Sequence, residues 1–278
     1  MIKFVSYEFD KGISFGALKG DIIIDLSDIA QSLKDVLIRG PLDRLIDIVE
    51  SRSEGIDLNK VIFHQVIPNA SRVICVGKNY KDHAIEMGGN IPKNINLFIR
   101  TSQSLVGHKQ SLIKSRVSSH YDYEGELALI IGKGGRHISE KDAIKHIAGY
   151  SCFLDGSMRD FQNHSITAGK NFDSSGSFGP WLLPSTYITD PQDLKIITRV
   201  NGNIVQRSST KNMIFSIKKI IEYVSSFTFL NPGDVISTGT PDGVGYAHTP
   251  PLWLKDGDLV EVEIEKVGIL LNYIKTEM

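Results

Sequence analysis

Cysteine is scarce: the chain has two, Cys75 and Cys152, each in its own apolar segment and neither at metal-ligand spacing. That excludes a disulfide framework and a thiolate metal site, and both read as reduced core residues of a cytosolic protein. No apolar run approaches the roughly 20 residues a membrane-spanning helix requires. An excess of basic residues is also missing. The net charge of -1 argues against a general nucleic-acid binder. The N-terminus reaches Glu8 too early to read as a secretory signal, so a cytoplasmic protein is expected. Neither common nucleotide-binding glycine pattern is present. Gly169-Lys170 has His164 where a phosphate loop needs its upstream glycine, and Asn171 where it needs a hydroxyl. Gly239 to Gly245 fails the dinucleotide fingerprint, which sets aside a nicotinamide cofactor.

What remains is 278 residues of ordinary globular composition, enough for one large domain or a large and a small one. A boundary is expected near Pro68-Asn69-Ala70. Residues 1–70 read as a small α+β unit. A hairpin turns at Asp10-Lys11-Gly12, Ile22 to Ile24 forms a third strand, and helical spacing runs over Ser27 to Leu37 and Leu42 to Ser51. Residues 71–278 carry the chemistry. They include a helix over 79–87 closed by Gly88-Gly89, a short helix from Ser139 to His146, a hairpin across Asn201-Gly202, and an amphipathic helix from Ile214 to Phe227.

The central stretch is Asp122-Tyr-Glu-Gly-Glu-Leu-Ala-Leu-Ile-Ile-Gly132, which reads as a strand. Side chains two apart on a strand share a face, so Glu124 and Glu126 stand side by side. Their repulsion calls for positive charge from elsewhere. Asp155, closing the next strand, is the candidate third acid. An all-carboxylate set favours a hard cation, Mg²⁺ or Mn²⁺, with Ca²⁺ also open. Spacing alone leaves a solvated acidic edge as the competing reading. His83 and Glu86, three apart on a helix, suit a base and the carboxylate that orients it, or a plain surface contact. Lys170, in a polar loop, could steady developing negative charge or be solvated. Between Arg72 and Arg116 eight basic residues face two acidic ones, a surplus that would draw in an anionic substrate if it faces the acids.

In combination these motifs resemble the fumarylacetoacetate hydrolase family from about residue 70 onward. The carriers are Asp122 to Leu127 with its paired glutamates, Asp155 ahead of Arg159-Asp160, Gly169 to Asp173, and Gly239 to Gly245. The resemblance implies an α+β, mostly β architecture: a mixed β roll or barrel holding the metal at its mouth, behind a small N-terminal α+β domain, usually as a homodimer. It implies metal ligation by Glu124, Glu126 and Asp155, catalysis by His83, Glu86 and Lys170, and substrate contacts from Tyr80, Arg159, Gln162 and Thr240. Three positions depart from the family pattern: Leu154 for asparagine, Lys78 for arginine, and Arg100-Thr101 for Lys-Pro.

The activity this implies is metal-dependent C–C hydrolysis of an acylpyruvate-like 2-oxo carboxylate through an enolate, as in aromatic catabolism. The alternative is isomerisation or decarboxylation of an unsaturated 2-oxo dioate, or decarboxylation of oxaloacetate. A non-catalytic binding protein ranks last, because His83, Glu86 and Lys170 are all present.

Overall fold

The computed structural model describes residues 1–10 and 12–278. Lys11, in the middle of the expected first turn, lies outside the described residues. The strands flanking it, Lys3–Phe9 and Gly12–Lys19, pair antiparallel as the sequence predicts, and Ile22–Asp25 adds the third.

The architecture is mostly sheet. A long mixed sheet holds the strands of residues 3–25 at one side. It continues through Gly176–Pro184, Ile147–Leu154, Gly125–Ile131 and Val235–Ser237 to Val73–Gly77 and Asn96–Arg100. A second sheet orders Asn203–Ser209, Lys195–Val200, Leu259–Ile264, Gly268–Thr276 and Ser111–Lys114. Leu127, Leu129 and Cys152 of the first sheet share one buried apolar cluster with Ile196, Val262 and Leu270 of the second. On the other face, Phe4, Phe15 and Leu33 pack with Val73, Ala128 and Phe178, so the N-terminal strands and the later ones share a core. The middle of the long sheet is therefore covered on both faces, which explains why Gly125–Ile131 is buried at every position rather than at alternate ones.

The close approach of the two sheets constrains Gly125. A β-carbon there would stand 2.1 Å from Thr198 Oγ1, so no larger residue fits between the two glutamates.

Several boundaries differ from the sequence reading. The helix expected from Ser27 begins at Leu33, where Ser32 accepts a capping hydrogen bond from the Asp35 amide. The helix expected from Ser139 is a single 3₁₀ turn, Ala143–His146, because the Ser139 hydroxyl donates to the Asp142 carboxylate instead of capping a longer helix. The amphipathic helix runs Ile217–Phe227, capped by Ser216. Asn201 and Gly202 both take positive φ, 51° and 79°, as a two-residue hairpin turn requires. Among the described residues, no helix is long and apolar enough to cross a membrane.

His108 joins the two parts of the chain. Its Nδ1 accepts from the Leu271 amide at 3.1 Å, and its ring meets Phe63 edge-on at 5.1 Å. Burial, with Lys109 adding to it, pushes this imidazole from 6.5 down to about 4. The unfolded chain therefore binds more protons than the folded one between those values, and stability falls as pH drops from 6.5 toward 4. Urea titrations across this window should lose about 3 kcal/mol from this residue, and His108→Asn should flatten that part of the profile.

Candidate active site

The site lies where strand ends converge. Gly125 pairs with Leu154, so Glu126 and Asp155 emerge at the same end of neighbouring strands, and the Asp155 amide donates to the Glu124 carbonyl at 2.9 Å. Val235–Ser237, on the other side, leads into Gly239, whose amide donates to Glu126 Oε2 at 2.9 Å. Gly239 has φ +96°, and a β-carbon there would press on Asn79 and the Val76 carbonyl. Glycine alone permits that approach.

Glu124, Glu126 and Asp155 are buried, and each offers an oxygen within 4.8 Å of the others'. Glu124 precedes strand Gly125–Ile131 rather than lying in it, so strand alternation is not the full reason the two glutamates meet. The Tyr121–Asp122 strand pairs separately, with Ser157–Met158, and Glu124 lies in the link between the two strands.

Three cations surround these acids. Lys170 Nζ donates to Glu124 Oε2 at 2.5 Å and to Asp155 Oδ2 at 2.6 Å. Arg159 bonds Asp122 through Nε at 2.8 Å, and its Nη2 lies 2.7 Å from Glu124 Oε1. Arg100 Nη1 donates to Asp155 Oδ1 at 2.5 Å. Burial opposes ionisation of Glu124, but Lys170 and Arg159 outweigh it and hold this carboxyl far below its usual range. Burial likewise opposes the charge on Lys170, and Asp155 and Glu124 reverse that and raise it. Glu126 goes the other way: burial, then the charges of Asp155 and Glu124, push it well up. Its Oε2 accepts from the Ser237 hydroxyl and the Gly239 amide, while Oε1 accepts no hydrogen bond among the described residues.

Counting Asp122, four acids face three fixed cations, and the uncompensated charge sits on Glu126. An all-oxygen donor set in which one carboxylate oxygen, on a residue lining the cleft, accepts no hydrogen bond fits a hard divalent cation. Glu124, Glu126 and Asp155 would hold it, Lys170 sharing their remaining lone pairs.

The lid helix is Lys81–Glu86, shorter than the expected 79–87. Gly88, at φ +68°, and Gly89 end it as predicted, their amides donating to the carbonyls of Ile85 and Ala84. His83 Nδ1 lies 2.7 Å from Glu86 Oε1. A carboxylate can only accept, so Nδ1 carries the proton and Nε2 is left as the base. Glu86 Oε2 accepts from the Gly243 amide at 2.9 Å, which ties the lid to the loop after Gly239. Below the lid, the Asn79 side chain bonds the carbonyls of Phe215 and Thr238 and the Phe215 amide.

These groups enclose a narrow cleft of about 70 Å³. His83, Glu124, Glu126, Arg159, Gln162, Lys170 and Thr240 all line it. Asp155 lies behind its wall, fully buried. Lys170 is not in a polar loop as the sequence reading has it. It ends a short helix, Ile166–Lys170, that Ser165 caps and that a second turn, Arg159–Gln162, precedes. Gln162 Oε1 accepts from Arg159 Nη1 at 2.8 Å. The Thr240 hydroxyl donates to the Gly125 carbonyl and accepts from Gln206 Nε2, both at 2.9 Å. Its one proton is spent on the Gly125 carbonyl, so for an anionic ligand Thr240 has only its amide to donate. Tyr80 is buried elsewhere, its hydroxyl unpartnered and outside the cleft lining.

Three supporting residues escaped the sequence reading. Asp122 accepts from the Gly245 and Tyr246 amides as well as from Arg159, which locks the loop after Gly239 to the acid cup. Gln206 holds Gly125 and Thr240 from the second sheet. Arg100, noted in the sequence only within the basic surplus and as a departure from the family pattern, is buried with all five N–H groups donating: to Asp155, Gly156, Ser175 and twice to Ser104. Lysine has three donors, so Arg100→Lys strands two acceptors, and Arg100→Met leaves Asp155 without its partner. Chemical denaturation should show Arg100→Met losing about 3 kcal/mol or more, with Arg100→Lys in between. Equal stability of all three proteins would contradict this account.

An acid cup suited to a divalent cation thus faces a carboxylate-held histidine across a small cleft. The chain belongs to the fumarylacetoacetate hydrolase family, whose C-terminal domain it matches over residues 72–275. It is 43% identical over 224 residues to the oxaloacetate tautomerase YisK of Bacillus subtilis, spanning 78% of this chain and 74% of that protein. To the mitochondrial oxaloacetate tautomerase Fahd2a of Rattus norvegicus it is 42% identical over 219 residues, 78% of this chain and 70% of the relative. Among solved structures, a fumarylacetoacetate hydrolase from Exiguobacterium antarcticum superposes with a TM-score of 0.83 at 34% identity, covering all of both chains.

Proposed function

We propose that this chain is an enzyme that interconverts the keto and enol forms of oxaloacetate or a close 2-oxo dicarboxylate. The observation that carries this is His83: its Nδ1 is held by Glu86, and the ring lines the cleft whose floor is Glu124 and Glu126. The sequence reading ranks acylpyruvate hydrolysis first. The likeness to two oxaloacetate tautomerases favours the isomerase and decarboxylase side instead.

A divalent ion in the cup would supply Lewis-acid stabilisation of negative charge on the 2-oxo oxygen. The chain's own groups do the rest. His83 Nε2 takes a proton from C3, and the C–H electron pair becomes the C2=C3 double bond. The C2=O π pair moves onto the 2-oxo oxygen, which takes the proton back from His83 Nε2, giving the enol and restoring the base. The reverse sequence restores the ketone, and neither direction consumes water. Glu86 keeps the imidazole in the tautomer that can accept. Lys170 holds two of the carboxylates in place and adds positive charge near the developing enolate. The Thr240 amide offers a donor to the substrate's carboxylate.

The test follows enol absorbance, pyruvate release and acylpyruvate cleavage in parallel, against blanks holding the metal alone. Accelerated loss of the enol without matching pyruvate supports the tautomerase. Pyruvate in step with enol loss makes the chain a decarboxylase, and cleavage of an acylpyruvate restores the hydrolase reading. No conversion of any compound leaves only a binding role.

A further inference from the structure

We propose that Lys78 selects the substrate by receiving the second, distal carboxylate of a 2-oxo dicarboxylate, an inference that rests on the function proposed above. Besides His83, three cationic side chains line the cleft: Lys78, Arg159 and Lys170. Arg159 hydrogen-bonds Asp122 through Nε and Gln162 through Nη1, and its Nη2 is ion-paired with Glu124. Lys170 is committed to Glu124 and Asp155. Neither can turn to a second substrate carboxylate without releasing an acid of the cup. Lys78, among the described residues, makes no ion pair and no side-chain hydrogen bond, and so is the one such side chain with its charge unspent.

Its placement matches the role. Lys78 follows strand Val73–Gly77 in a left-handed conformation, φ +55°, unusual for a lysine. A β-carbon on Gly89 would lie 3.3 Å from Lys78 Nζ, which puts the ammonium against the turn that ends the lid helix carrying His83. The acids of the floor are buried, whereas Lys78 and Asn96 are exposed at the mouth. An unpaired lysine on open surface would carry no such inference. This one lines the same small cleft as the base, on its exposed side. A substrate with one carboxylate at the floor presents its far end here, where a charge-assisted hydrogen bond distinguishes –COO⁻ from –CH₃.

Oxaloacetate and 2-oxobutanoate differ in that one group, and exchange of their C3 protons for deuterium can be followed by NMR for both. Lys78→Met should raise KM for oxaloacetate about tenfold or more, leave kcat near the wild-type value, and leave 2-oxobutanoate exchange unchanged. Lys78→Arg should restore most of the preference for the diacid. The position is exposed, and matching melting curves exclude a folding defect. If Lys78→Met keeps the full diacid preference, or weakens both substrates alike, Lys78 is not the selector while the proposed proton chemistry stands. Absence of exchange on both acids with the wild-type enzyme would overturn the proposed function, and this inference with it.

Discussion

Replacing His83 with glutamine should lower kcat for enol–keto interconversion by about 10²–10⁴-fold, with KM little changed. The imidazole is the only group lining the cleft that combines a free nitrogen base with a carboxylate fixing its tautomer. Glutamine fills similar space and can hydrogen-bond to Glu86, but its amide nitrogen is not a base. Glu86→Gln should fall in the same direction by a smaller factor. Glu86 accepts two donors at once, His83 Nδ1 and the Gly243 amide. Glutamine has one acceptor oxygen, so it can satisfy the histidine or the loop but not both. Steady-state kinetics of the two variants, with near-ultraviolet circular dichroism to confirm packing, provide the check. A His83→Gln enzyme at wild-type rate would remove histidine from the mechanism.

Glu126→Gln should have opposite effects on stability and on metal affinity. Without a divalent ion, the Glu126 carboxylate is buried beside Asp155 and Glu124 and lacks a cation of its own, which is why it is pushed well up. Neutral glutamine removes that repulsion and keeps an oxygen for the Ser237 and Gly239 donors. The ion-free variant should therefore melt no lower than the ion-free wild type. Mg²⁺ or Mn²⁺ affinity, in contrast, should fall by more than the 10–100-fold typical of losing a mere supporting contact, because an anionic ligand is gone. Calorimetry should also show wild-type binding releasing a proton, with affinity rising as pH rises, since the ion needs Glu126 ionised. Activity should disappear with chelator and return with either ion. A Glu126→Gln protein that binds Mg²⁺ like wild type would refute the metal assignment.

Residues with regular backbone signals were legible in advance. The alternation and turn chemistry around Asn201-Gly202, the paired glycines after the lid helix, and the apolar run from Leu127 to Ile131 each depend on neighbours in sequence. Each formed as expected. The short helices around Gln162 and Ile166 did not announce themselves. Four- and five-residue helices carry too few turns for a periodic pattern, and their stability comes from the capping serine and from Lys170 pairing with acids far off in the chain.

The order of residue types along the chain was enough to nominate Glu124, Glu126, Asp155, His83 and Lys170, because each occupies a motif that reads locally. It could not show that Arg100, one of the basic surplus, would be buried in the core, that Asp122 and Gln206 would brace the loop after Gly239, or that the Thr240 hydroxyl would spend its proton on a neighbour. Those outcomes depend on which long-range partners reach which lone pairs, with separations of 55 residues for Arg100 and Asp155 and 123 for Asp122 and Gly245. Local sequence sets what a side chain can donate or accept. Only the folded chain decides which of those capacities are already used, and hence which remain for a substrate.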